Sequence, residues 1–154
     1  MESMFSNCSK LSSLDLSSFD ISIVTNMKSM FEGCRFLSSL QHNFSKSIVM
    51  NLNSMFSDCN LLNNLNLSQF STPYANNTGK MFQRCLYLTS LDISSLKISK
   101  VTDMSYMFRQ CSSLTSLDLT LFQTVSLIKM AQMFYECSSL VYLNISNFKT
   151  FDPF

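Results

Sequence analysis

Apolar positions along the chain fall into two alternating rhythms. In Cys8-x-x-Leu11-x-x-Leu14-Asp15-Leu16-x-x-Phe19, Leu14 and Leu16 are two apart, so they share one side of a short strand. Ser13, Asp15 and Ser17 then take the other side. The same string returns at Leu62/Leu65/Leu67/Phe70, Leu88/Leu91/Ile93/Leu96, Leu114/Leu117/Leu119/Phe122 and Leu140/Leu143/Ile145/Phe148. Beyond each string the spacing lengthens. Val24, Met27, Met30, Phe31 and Cys34 sit at offsets 0, 3, 6, 7 and 10, which predicts one face of a helix. Thr25 is its expected N-cap, as Thr102 is further along. A helix of about two turns depends on packing for its stability. Asn7, Gly33 and Asp58 suit a left-handed cap before the cysteine, whereas Arg84, Gln110 and Glu136 do not; half of these helices are expected to end without that conformation.

The two rhythms together form a repeat. Met-Phe pairs followed three residues later by cysteine occur six times, ending at Cys8, Cys34, Cys59, Cys85, Cys111 and Cys137, with steps of 26, 25, 26, 26 and 26 residues. A constant period in this range marks a solenoid, each repeat forming one coil. One coil alone leaves its Leu, Met and Phe wet on both flat sides, and stacking covers them. The predicted fold class is therefore an α/β solenoid: a leucine-rich-repeat-like right-handed coil with one short parallel strand and one short helix per repeat. The chain reads as a single array over 1–154, with coils at 8–33, 34–58, 59–84, 85–110 and 111–136 and partial coils at 1–7 and 137–154. Strands stacked about 4.8 Å apart would form one continuous ribbon.

Two coils depart from the pattern. The second is one residue short, and Leu40-Gln41-His42-Asn43-Phe44 stands where the others have the Leu-x-Leu string. Alternation turns Leu40, His42 and Phe44 inward, with His42 in the slot of Leu16 and Leu67. A buried imidazole without a partner costs about 1–3 kcal/mol. In the third coil, Ala75 and Thr78 replace the expected Val and Met, so its helix is expected to be short or absent.

Composition narrows the functional classes. Charged residues make up only 14% of the 154, and eleven Lys/Arg against ten Asp/Glu leave a net charge of +1. No basic stripe points to nucleic acid, and no polybasic run points to anionic lipid. No apolar run is long enough to insert directly into a membrane. The residues after Met1 are already repeat sequence, so no signal peptide is legible, and the chain is expected to be part of a longer array whose exposed ends favour end-to-end self-association. With few Gly and Pro, the turns fall to Asn, Asp and Ser.

The residues also carry a resemblance. CSKLSSLDLSSFDISIVTNMKSMFEGC (8–34) and CSSLTSLDLTLFQTVSLIKMAQMFYEC (111–137) are similar to the BspA-like repeat, also known as a lipoprotein-associated repeat of unknown function in mycoplasmas. Asp20, Val24, Thr25, Asn26, Met27, Met30, Phe31 and Cys34 match it position by position, and the likeness covers essentially the whole chain. The resemblance implies a non-enzymatic leucine-rich-repeat module of a cell-surface or secreted protein, used in adhesion or ligand binding, with no catalytic residues and no cofactor. The alternative is an intracellular scaffold or spacer solenoid, which free thiols favour.

Candidate functional residues lie in the outward strand columns. One reads Ser13, Ser39, Asn64, Ser90, Ser116, Tyr142; the next reads Asp15, Gln41, Asn66, Asp92, Asp118, Asn144; a third reads Ser17, Asn43, Ser68, Ser94, Thr120, Ser146. A flat hydrogen-bonding face of this kind suits a protein or glycan ligand, and Asp15, Asn66, Asp92, Asp118, Tyr142 and Asn144 are the expected binding residues. The competing reading is a solvated sheet. The six cysteines are expected to form a buried core column, against the alternatives of bridging or a metal site; zinc ligands come as close pairs, which are missing. The Met-Phe column is expected in the core, and the single histidine, His42, has no catalytic constellation around it.

Overall fold

A computed structural model describes residues 1–45 and 47–149. Its strands are β1 (Ser13–Leu16), β2 (Ser39–His42), β3 (Asn64–Asn66), β4 (Ser90–Asp92), β5 (Ser116–Asp118) and β6 (Tyr142–Asn144). One strand per repeat, at the repeat period, makes a solenoid-like stack of coils. Equivalent turn residues Asn26, Asn51, Asn77, Asp103 and Lys129 form parallel bridges from each coil to the next. A single apolar core runs through all the coils.

The expected helix is absent, and with it the α/β class: the segments between strands are consecutive turns in all the described residues. The reason lies in where the backbone bonds go. The N–H groups of Met27, Ser29, Phe31 and Gly33 donate to the carbonyls of Asn51, Asn53, Met55 and Ser57 in the next coil. The N–H groups between them, on Met30, Glu32 and Cys34, close local turns onto Met27, Ser29 and Phe31. A helix would satisfy all of these donors within its own coil. Alternation instead ties every second residue to the neighbour, and it demands left-handed backbone at two places per coil. One is the residue before Met-Phe: Ser3, Ser29, Ser54, Lys80, Tyr106 and Gln132. The other is the residue before cysteine: Asn7, Gly33, Asp58, Arg84, Gln110 and Glu136. Arg84, Gln110 and Glu136, expected to avoid this conformation, adopt it with φ of 60°, 62° and 58°. The cross-coil ladder thus overrides the local preference of the side chain. The third coil follows the same path as the others, and its Ala75 and Thr78 are buried.

The burial pattern matches the apolar pattern even where the helix fails. Met27, Met30, Phe31 and Cys34 are all fully buried. The Met-Phe phenylalanines form a stack from Phe5 through Phe31, Phe56, Phe82 and Phe108 to Phe134, with neighbouring ring centroids 5.2–5.9 Å apart and planes within 12°. Beside them runs the cysteine column. Each thiol from Cys34 to Cys137 donates to the carbonyl of a Met-Phe phenylalanine one coil back, at 3.0–3.2 Å. All six cysteines are free; Cys34, Cys59, Cys85 and Cys111 are buried and Cys8 is exposed.

The strands do not make one ribbon. They pair in parallel two by two, as β1–β2, β3–β4 and β5–β6. At the paired junctions the residue after the polar column donates across: Leu67 N–H to the Asp92 carbonyl at 2.7 Å and Leu119 N–H to the Asn144 carbonyl at 2.9 Å. Between β2 and β3 that place belongs to His42, whose register partner is Leu16. Its ring Nε2, not its backbone, meets the Asn66 carbonyl, at 3.0 Å. The imidazole thus stands in for a rung of the ladder. Between β4 and β5, Asp92 and Asp118 occupy equivalent positions, and like charges facing each other across a strand pair are mildly unfavourable.

Candidate binding face

The outward columns stand in register within each strand pair. Ser13 faces Ser39, Asn64 faces Ser90 and Ser116 faces Tyr142; Asp15 faces Gln41, Asn66 faces Asp92 and Asp118 faces Asn144. Every hydrogen-bonded pair therefore sets a carboxylate opposite a carboxamide, never opposite a second carboxylate. Asp15, Asn66, Asp92, Asp118 and Tyr142 are exposed and Asn144 is partly exposed. The structure thus brings the six sequence-derived residues onto one face, spread over the strand pairs rather than gathered into one cluster.

Five of the six have a second task that the sequence reading did not give them. The Oδ1 atoms of Asp15, Asn66, Asp92, Asp118 and Asn144 accept from the backbone N–H two residues on, at Ser17, Ser68, Ser94, Thr120 and Ser146, over 2.8–3.2 Å. These are Asx turns, and they end five of the six strands. They stabilise the charged form where it exists. Bonds from the side chain and backbone of Ser17 hold the Asp15 carboxyl below its usual value, and those from the backbone and side chain of Thr120 do the same for Asp118. Gln41 has no such bond, which fits the departure of the second coil. Tyr142 accepts at its hydroxyl from Asn144 Nδ2 at 3.2 Å. One acceptor of each Asx residue is committed to its own turn, so a ligand meets chiefly the remaining carboxylate oxygen of Asp15, Asp92 and Asp118 or the amide NH₂ of Asn66.

Open grooves cross both places where strand pairing is interrupted, and others lie elsewhere on the surface. One of about 520 Å³ crosses β2 and β3, bordered by Gln41, His42, Asn43, Asn64, Asn66 and Gln69. Another, of about 360 Å³, crosses β4 and β5 and carries Asp92 and Asp118. A groove of about 640 Å³ lies beyond the strands, beside Lys97, Thr124 and Lys149. Gln69 in the β2–β3 groove and Lys97, Thr124 and Lys149 beyond the strands belong to no outward column and were not among the expected binding residues. A signal that could have found Gln69 is the run of amides between positions 41 and 69, where most other coils place Asp and Ser.

The remaining chemistry is sparse. Among the described residues, no three His, Cys, Asp or Glu side chains are placed to hold a metal ion. His42 stacks on Phe44 at 4.4 Å between ring centroids, and burial pushes its pKa down despite the bond to Asn66. Burial also pushes the Cys34 thiol up to about 11 and raises Cys59, Cys85 and Cys111. No helix among the described residues is long and apolar enough to cross a membrane.

No curated protein matches the chain. A family model described as "Mycoplasma protein of unknown function, DUF285" matches it at residues 1–115 and again at 87–152. The two matches overlap and together span nearly the whole array, as expected when one repeat unit recurs, and the chain belongs to this family.

Proposed function

We propose that the chain is a non-enzymatic repeat module of a cell-surface or secreted protein, binding a protein or glycan through its strand face, in the manner of BspA-like leucine-rich repeats. The observation that carries this reading is the set of exposed polar columns held in register by parallel pairing. Solenoids present extended surfaces of this kind to their ligands. A backbone already tied from coil to coil by hydrogen bonds also adds little ordering cost on binding.

The test uses the folded array against immobilised glycans and extracellular-matrix proteins. Asp92→Asn with Asp118→Asn is the informative variant, because asparagine keeps the Asx-turn acceptor while removing the charge. Binding that weakens in this variant, at an unchanged melting temperature, supports the strand face. Binding that is absent throughout the panel removes the reading.

The second reading is an intracellular scaffold or spacer built on the same stack. The free thiols favour it, including the exposed Cys8, since disulfides form readily in oxidising compartments. Finding the native chain in the cytosol would decide for it.

A further inference from the structure

The two strand-face grooves differ in chemistry, and the difference begins at His42. The imidazole takes the Asn66 carbonyl, β2 and β3 are unpaired, and the face opens between them. Five carboxamides border this opening: Gln41 and Asn43 from one coil, Asn64, Asn66 and Gln69 from the next. No charged side chain lines it. Its counterpart across β4 and β5 has no carboxamide and two carboxylates. Among the described residues, the side chains of Gln41, Asn64 and Gln69 make no hydrogen bond. Asn43 and Asn66 use only Oδ1, accepting from Ser45 and from the Ser68 backbone. The groove therefore holds a concentration of unfilled amide donors and acceptors with no net charge.

We propose that this groove binds a neutral saccharide. A carboxamide offers a donor and an acceptor side by side, and adjacent hydroxyls on a sugar ring require that combination. Lack of charge selects against sulfated and acidic sugars, whose anions would find no cation here. A volume of about 520 Å³ lies within the usual range of small-ligand sites, about 300–1,000 Å³. No Trp or Tyr borders the groove to anchor a protein partner or to stack on a sugar face, so hydrogen bonds to the five carboxamides carry the recognition. The chain carries one such groove, so avidity would come from several copies of the chain.

The inference rests on the strand-face reading and narrows it to one place and one ligand class. The experiment titrates the folded chain with the neutral trisaccharides maltotriose, cellotriose and chitotriose at millimolar concentration, reading the side-chain NH₂ resonances of Asn64 and Gln69 by NMR. Shifts with at least one sugar are expected, and roughly tenfold weaker binding in Asn64→Ala with Gln69→Ala, since each lost hydrogen bond is worth about 0.5–1.5 kcal/mol. Neither side chain supports the fold, so the melting temperature of that variant should stay put. Gln69→Glu, which keeps size and adds charge, should also weaken binding. Failure of all three sugars overturns the inference. So does a response at these residues to an extended polar peptide and not to sugars. If sugar binding instead follows Asp92→Asn with Asp118→Asn, the groove assignment fails while the strand-face reading survives.

Discussion

The Cys85 thiol donates to the Phe56 carbonyl over 3.2 Å, and both residues are fully buried. This contact, repeated from Cys34 to Cys137, explains why cysteine holds one position in every coil: it fills a small apolar slot and satisfies a carbonyl with a weak donor. Cys85→Ala removes both and should cost about 2 kcal/mol. At neutral pH a maleimide should label Cys8 at once and spare Cys34, Cys59, Cys85 and Cys111 until the chain unfolds. The pH dependence follows from thiols whose folded pKa is raised above 9.0. The folded state then holds its protons longer than the unfolded state, so this stability is complete below pH 9 and is lost as pH rises beyond it. Denaturant titrations at pH 8 and pH 10 should show a marked fall at the higher pH. Equal labelling of all six thiols in the native protein would contradict this account of the column.

Thr78 occupies the methionine column, fully buried, with its hydroxyl unpaired. Val is nearly isosteric and carries no hydroxyl. Thr78→Val should therefore stabilise the array by about 1 kcal/mol. For a chain of this length that corresponds to a rise of about 2–4 °C in melting temperature, readable by calorimetry. A fall would mean that the hydroxyl has a partner in solution.

How much of this was legible depended on which bonds a pattern reports. Burial reads directly from apolar spacing, so Leu16, Met27, Phe31 and Cys34 were placed inside without knowledge of the backbone. The helix was misread because Val24, Met27, Met30, Phe31 and Cys34 fit a helical face and also fit a chain of turns. Spacing does not say whether the Ser29 N–H bonds within its coil or to Asn53 in the next. The strand columns were legible because alternation fixes direction. The interruptions between β2 and β3 and between β4 and β5 were not, since alternation fixes which side a residue faces and not which neighbouring strands bond across. The carboxamide groove follows from the first of these and stayed hidden with it.

The left-handed positions make a further demand on side chains. Gly33 has φ of 75°, and a Cβ there would come within 2.5 Å of Asn7 Oδ1. The Asn7 side chain is exposed and can swing aside, so the backbone term decides: Gly33→Ala should destabilise by about 1–2 kcal/mol. The reverse change at Gln132, exposed and at φ of 51°, should behave differently. Gln132→Gly relieves about 1–2 kcal/mol of strain and loses about 0.5–1 kcal/mol to the greater freedom of the unfolded chain. A small net gain in denaturant midpoint is the expected result; a loss comparable to that of Gly33→Ala would mean that this backbone is not left-handed in solution.

His42 gives the array an acid-sensitive junction. Its Nε2 donates to the Asn66 carbonyl while Nδ1 is buried and unpaired, so the ring is neutral with the proton on Nε2. Burial lowers its pKa below 6.5. The unfolded chain therefore binds a proton that the folded chain refuses. Stability from this site is complete above pH 6.5, falls as pH drops below that value, and levels off beneath the folded pKa. The groups around it are amides, Ser17, Ser68, Leu16, Leu40, Leu65 and Phe44, and no carboxylate lines the groove to offset an imidazolium. The Asp15 and Asp118 carboxyls titrate below their ordinary 3.8, well clear of this window. His42→Leu restores the residue type that Leu16 and Leu67 place in this slot and removes the orphaned nitrogen. It also removes the Nε2 bond to the Asn66 carbonyl, so stability at pH 7 should change by no more than about 1 kcal/mol, while the decline between pH 7 and pH 5 should disappear. Urea midpoints of both proteins at the two pH values measure this. A parallel decline in the two proteins would assign the acid sensitivity to another group.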